Sequence, residues 1–290
     1  MAIDNDLRNQ LKVYQKTEIT EHHIYIKLAQ STKDPENRRV MEQIAQDELK
    51  HYQYWREYTQ EDIEPERIKV WMYYLISRVF GFTFGIKLME MGEEDAQDNY
   101  GQLVESIPDI DVLIQDENEH ERVLLNLLDE ERLRYIGSIV LGLNDALVEL
   151  TGALAGLTLA LQNTQLIAVT GLITGIAAAL SMGASEYLST KSEETAKNPL
   201  RASIYTGGAY IVTVFILILP YLIIANFYLA LGLTMAFALL IIAFFNYYIS
   251  IAKEVEFRQR FLEMAVLSLG VAVLSFAIGF VVRTFLGIDI

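Results

Sequence analysis

The chain has no cysteine. Disulfides and thiolate metal sites are therefore excluded, and the redox compartment is left undetermined. Histidine is scarce, four in 290 residues. Positive charge is also short, 23 Lys and Arg against 38 Asp and Glu for a net of −15. The deficit is local: residues 1–135 hold 16 basic and 29 acidic side chains, net −13, and the remainder holds 7 and 9, net −2. An acidic segment without a basic stripe speaks against nucleic acid as a partner and suits the concentration of cations. The amino terminus "MAIDNDLRNQLK" is too polar for a cleavable signal peptide.

What the first half does have is a pattern that occurs twice. Glu18 and Tyr25 precede Glu48 and His51, and Glu93 and Tyr100 precede Glu117 and His120. Residues three apart share a helix face, so each Glu-x-x-His pair offers a carboxylate and an imidazole to neighbouring ions. Four helices that turn such ligands inward make a di-iron or di-manganese site in a helical bundle. The Glu-to-Glu steps, 30 and 24 residues, fit two helical hairpins with short turns.

The segments "TEITEHHIYIKLA", "QIAQDELKHYQYW", "MEMGEEDAQDNY" and "IQDENEHERVLL" resemble the four ligand-bearing helices of the rubrerythrin branch of the ferritin-like superfamily. The resemblance implies a di-iron site, with manganese as a second candidate, held by Glu18, Glu48, His51, Glu93, Glu117 and His120. Glu90 matches the extra glutamate that rubrerythrins use as an alternative ligand, and Tyr25 and Tyr100 would orient carboxylates through their hydroxyls. Rubrerythrins proper also carry a cysteine-ligated iron, which this chain cannot hold.

The second half is apolar. Five segments, roughly 136–161, 166–189, 203–224, 227–251 and 261–286, are long enough to cross a bilayer, which takes about 20 helical residues. The loops "TKSEETAKNPLR" and "KEVEFRQR" are basic, as are Arg132 and Arg134 before the first span, whereas "QNTQ" and "NFY" are uncharged. The positive-inside rule then puts the N-terminal domain in the cytoplasm and the carboxyl terminus outside, with the cell membrane as the expected location. Arg283 runs against this bias, but a lone arginine can snorkel to the interface. Residues 70–89 are apolar enough to imitate a sixth span, interrupted by Arg78. A crossing there would separate Glu18 and Glu48 from Glu93 and Glu117, so this stretch reads as the start of a long third helix.

Asp145 and Glu149 lie one turn apart in the first span, and Met182 and Glu186 one turn apart in the second. A carboxylate at mid-membrane costs roughly 2.5–3.5 kcal/mol on insertion scales and normally marks an ion or proton path. A thioether beside carboxylates suits transient binding of Fe(II). "GLNDALVELTGALAG" and "ALSMGASEYLSTKSE" are similar to the first two helices of the vacuolar iron transporters and their yeast calcium- and manganese-sensitivity relatives. That resemblance, over residues 133–290, implies a homodimer exchanging Fe(II) or Mn(II) for protons through Asp145, Glu149, Met182 and Glu186.

The expected fold is thus all-α: a ferritin-like four-helix bundle over residues 1–132 followed by a five-helix transmembrane domain over residues 133–290. Joined, the halves resemble membrane-bound ferritin-like iron exporters. The expected function is proton-coupled export of Fe(II) or Mn(II), with a bundle that captures, senses or oxidises iron and could add ferroxidase or peroxidase activity. The rival is a membrane-anchored peroxide or oxygen reductase whose spans only tether it. A tether needs no carboxylates inside its spans.

Overall fold

The computed structural model describes residues 5–91, 110, 113, 115, 116, 120, 135–193, 197–253 and 255–286. Among these residues every element is an α-helix, and the chain divides into two compact units, Met1–Glu130 and Glu131–Ile290.

The first unit contains α1 (Asn5–Ser31), α2 (Pro35–Thr59), α3 (Arg67–Phe80) and α4 (Phe82–Met91). Helix α1 buries Leu11, Tyr14, Gln15, Glu18, Tyr25 and Leu28 along one stripe, the three-and-four spacing of a core-facing helix. Helix α2 answers with Met41, Ile44, Ala45, Glu48, His51, Tyr52 and Trp55. Its start is fixed by the Asp34 carboxylate, which accepts from the backbone N–H groups of Glu36 and Asn37 at 2.9 Å each, and by Pro35 at the first helical position. Its end is a left-handed cap at Gln60. There Thr59 donates to Gln15 Oε1 at 2.6 Å and Gln15 Nε2 donates to the Glu61 carbonyl at 2.9 Å, tying the end of α2 to α1. The hairpin therefore has a fixed register, and Glu18 lies opposite Glu48.

The single long third helix expected from residue 70 is not what forms. The helix breaks at Gly81, whose φ of 107° belongs to a region that L side chains rarely adopt. Helix α4 then packs Ile86 and Met89 into the apolar cluster of Ile24, Tyr25, Leu28 and Ile44.

The second unit contains α5 (Ile136–Leu161), α6 (Thr164–Ser192), α7 (Pro199–Ile223), α8 (Phe227–Lys253) and α9 (Phe257–Leu286). All five are long and apolar enough to cross a membrane. Large apolar side chains such as Leu180, Ile223, Phe244, Val273 and Phe285 stand exposed along them. In water such a surface would aggregate, whereas in hydrocarbon it is matched to its solvent. Helix α5 packs against the other four. Its neighbours approach where side chains are absent: a Cβ on Gly142 would collide with the Thr206 carbonyl of α7, and one on Gly279 of α9 would collide with the Gly156 carbonyl of α5.

Candidate metal centre and membrane carboxylates

In the first unit the structure brings together Glu18 from α1 and Glu48 and His51 from α2, all buried, with one ligand atom of each within 4.8 Å of the others. His51 Nδ1 lies 3.4 Å from Glu48 Oε2 and 3.7 Å from Glu18 Oε2. His120 joins from the far side: its Nδ1 is 3.4 Å from Glu48 Oε1, and its ring centroid is 5.8 Å from that of His51. Two Glu-x-x-His histidines thus meet on one carboxylate. Glu93, Tyr100 and Glu117 lie outside the described residues, as does the side chain of Glu90 on α4. Tyr25 is buried in the apolar cluster, about two helical turns beyond Glu18 on α1.

Three neighbours of the site escaped the sequence pattern. Trp55 donates Nε1–H to Glu18 Oε1 at 3.0 Å. Asp47 Oδ2 stands 3.4 Å from His120 Nε2, and Asp116 Oδ2 stands 3.7 Å from His51 Nε2, the positions where a carboxylate fixes an imidazole tautomer. Trp55 was within reach of sequence reasoning, since Glu48, His51 and Trp55 follow three-and-four spacing on one face. His22, beside the first ligand in sequence, turns away and places Nδ1 2.6 Å from the Ala45 carbonyl.

Burial, against the pull of the His51 imidazole and reinforced by the neighbouring Glu48 charge, pushes the Glu18 carboxyl up to about 7. Glu48 Oε2 is buried and accepts no hydrogen bond among the described residues. A buried carboxylate oxygen left this way is costly unless a cation answers it. Two carboxylates and two imidazoles suit a divalent ion of borderline hardness such as iron or manganese, so the residues present fit a resident metal.

In the second unit, hydroxyl donors hold two of the carboxylates on the spans. Tyr210 of α7 donates to Glu149 Oε2 at 2.9 Å. Ser138 of α5 donates to Glu186 Oε1 of α6 at 2.6 Å. Ser138 lies seven residues before Asp145, about 10 Å along the helix axis. Helices α5 and α6 are joined by a two-residue turn and run antiparallel, so the step from Glu186 to Met182 advances about 6 Å toward the Asp145 level. Glu186, Met182, Asp145 and Glu149 therefore succeed one another along the axes of α5 and α6 rather than forming one cluster. Glu149 and Tyr210 line a cavity of about 450 Å³ whose remaining wall is small or apolar, with Gly152, Gly156, Thr174, Gly175 and Gly279 among its residues. Neither Tyr210 nor Ser138 was singled out in the sequence, because contacts between helices leave no spacing signal.

Five helices long and apolar enough to cross a membrane define an integral membrane protein. Residues 136–197 match a family model described as the VIT family. The match covers α5, α6 and the turn between them, with Asp145, Glu149, Met182 and Glu186 inside it, and supports a VIT-like transmembrane domain suited to membrane transport of a metal, iron or manganese. No curated protein matches the chain.

Proposed function

We propose that the protein is a proton-coupled exporter of Fe(II) and Mn(II), acting as a homodimer in the cell membrane, with residues 1–132 as a cytoplasmic ferritin-like domain. The observation that carries this reading is the sequence of Glu186, Met182, Asp145 and Glu149 along two adjoining spans within the family-matched segment. The basic loops and uncharged opposite turns support the orientation.

In this mechanism the acidic first unit draws divalent cations to the membrane surface. An entering ion meets Glu186, poised by the Ser138 hydroxyl, then the Met182 thioether, then Asp145 and Glu149. Each step replaces water by a carboxylate oxygen or a soft sulfur that releases the ion again. Asp145 exchanges the departing ion for a proton, so its charge is never left uncompensated in the span. Tyr210 holds Glu149 toward the cavity.

In the first unit Glu18, Glu48, His51 and His120 would hold a resident iron or manganese, with Glu90, Glu93 and Glu117 supplying the second half of a paired site. When bound, that pair supplies redox chemistry toward oxygen or peroxide. Trp55 orients Glu18, Asp47 and Asp116 orient the imidazoles, and Tyr25 and Tyr100 restrain the carboxylates. Counterflow in proteoliposomes, comparing Fe(II) with Mn(II), tests the reading. Wild-type protein should exchange both, and Met182→Ala should lose preference for the softer ion. Peroxide turnover with no counterflow of either metal would favour the membrane-anchored reductase instead.

A further inference from the structure

Helix α3 exposes an unusual face for a soluble domain. Ile68, Trp71, Met72, Leu75 and Val79 follow the spacing of one helical stripe, and all stand exposed, Ile68 by 84 %, Leu75 by 54 % and Val79 by 60 %. The opposite face carries the buried Val70 and Ser77 that attach α3 to its unit. Basic residues border the stripe on both sides, Arg67 and Arg78 on one and Lys69 on the other, and the helix has no acidic residue. Lys27 adds a further cation, its Nζ 3.6 Å from the centroid of the Trp71 ring. This cationic apolar surface sits in a segment, residues 1–135, whose net charge is −13.

We infer that the α3 stripe docks into the headgroup region of an anionic bilayer leaflet, as an in-plane amphipathic helix with Trp71 at its edge. An apolar stripe flanked by Arg and Lys is the pattern of interfacial helices, and tryptophan favours that depth. Charge selects the lipid over a second copy of the chain: a two-fold contact across the stripe would bring the Arg67, Lys69 and Arg78 cations of one copy against those of the other. Glu64 and Glu66 stand 3.8 Å and 3.2 Å from Arg67 and Lys69. These exposed pairs are weak and exchange readily for lipid phosphate. Because the five spans hold the chain at a membrane, the docking is intramolecular in effect and needs little intrinsic affinity. The inference rests on those spans and not on the metal reading.

The test uses the full chain in nanodiscs of phosphatidylcholine alone or mixed with phosphatidylglycerol. The absence of native cysteine allows a single environment-sensitive fluorophore at Met72→Cys, with Glu42→Cys on α2 as the control. Doxyl-labelled lipid should quench the Met72 label in anionic discs, with a blue shift, and leave the Glu42 label untouched. Arg67→Glu, Lys69→Glu and Arg78→Glu combined should cut that quenching several-fold while helicity by circular dichroism stays unchanged. No quenching at Met72 in anionic discs overturns the inference. So does quenching that ignores lipid charge and the triple reversal. Dipolar coupling between spin labels at Met72 without lipid quenching would assign the stripe to a second copy.

Discussion

Glu48→Gln should make the metal-free first unit more stable and its metal-loaded form less so. Glu18 and Glu48 offer oxygens within 4.8 Å of each other inside the unit, and two charges at that distance repel by about 3 kcal/mol at an effective dielectric of about 20. Glutamine keeps the shape and removes one charge, so the apo protein should gain about 1–3 kcal/mol at pH 8, where Glu18 is ionised. The sign depends on pH. The Glu18 carboxyl is raised to about 7, so between its unfolded value and about 7 the folded state binds more protons than the unfolded one, and stability falls as pH rises through that window. Below it Glu18 is neutral and the advantage of the variant should vanish. Metal reverses the order: a ligand at about a hundredfold excess over Kd stabilises by about 2.7 kcal/mol, which wild type should gain and the variant should not. Both tryptophans, Trp55 and Trp71, belong to the first unit. In a Trp71→Phe background, Trp55 emission therefore follows the melting of that unit within the full-length, detergent-solubilised protein. A lower apo midpoint for Glu48→Gln, with an undiminished response to Mn(II), would show that the carboxylate is structural and refute the metal assignment.

Single cysteines at Asn163 and Lys197 should label from opposite sides of intact cells; labelling from one side contradicts the five-span topology. Tyr210→Phe keeps the ring but removes the donor to Glu149, so metal flux should fall several-fold in vesicles while helicity is unchanged by circular dichroism. Gly142→Leu places a side chain against the Thr206 carbonyl and should cost about 1–3 kcal/mol of stability, read as an earlier loss of helicity on heating.

The five spans were legible because a helix that must satisfy its own backbone in lipid advertises itself by a long apolar run. The bounds of α5, 136–161, were legible too, but the starts of α6, α7 and α9 were not. Helix α7 starts at Pro199 rather than near 203 because the Asn198 side chain accepts from the N–H groups of Leu200 and Arg201, and Asn163 does the same for α6. A capping side chain extends a helix past the edge of its apolar stretch, where hydropathy stops. The Gly81 break was visible as a glycine but lost to the apolar periodicity on either side. In the site, Glu18, Glu48, His51 and His120 carried a repeat that sequence spacing exposes. Trp55 was missed although its helical spacing from Glu48 and His51 exposes it, whereas Asp47, Asp116, Tyr210 and Ser138 matter through contacts across helices, which no spacing encodes.

The most direct test of metal–proton exchange is flux through Asp145→Asn. The asparagine keeps the size of the side chain and removes the exchangeable charge, so the variant should insert normally. With wild type and variant reconstituted in equal amounts, Fe(II) or Mn(II) movement driven by a pH gradient is recorded together with the lumenal pH. Wild type should move metal and protons in opposite directions, and Asp145→Asn should move neither above empty vesicles. Wild-type metal flux through Asp145→Asn would contradict the transport mechanism, making the aspartate structural and returning preference to a membrane-tethered reductase.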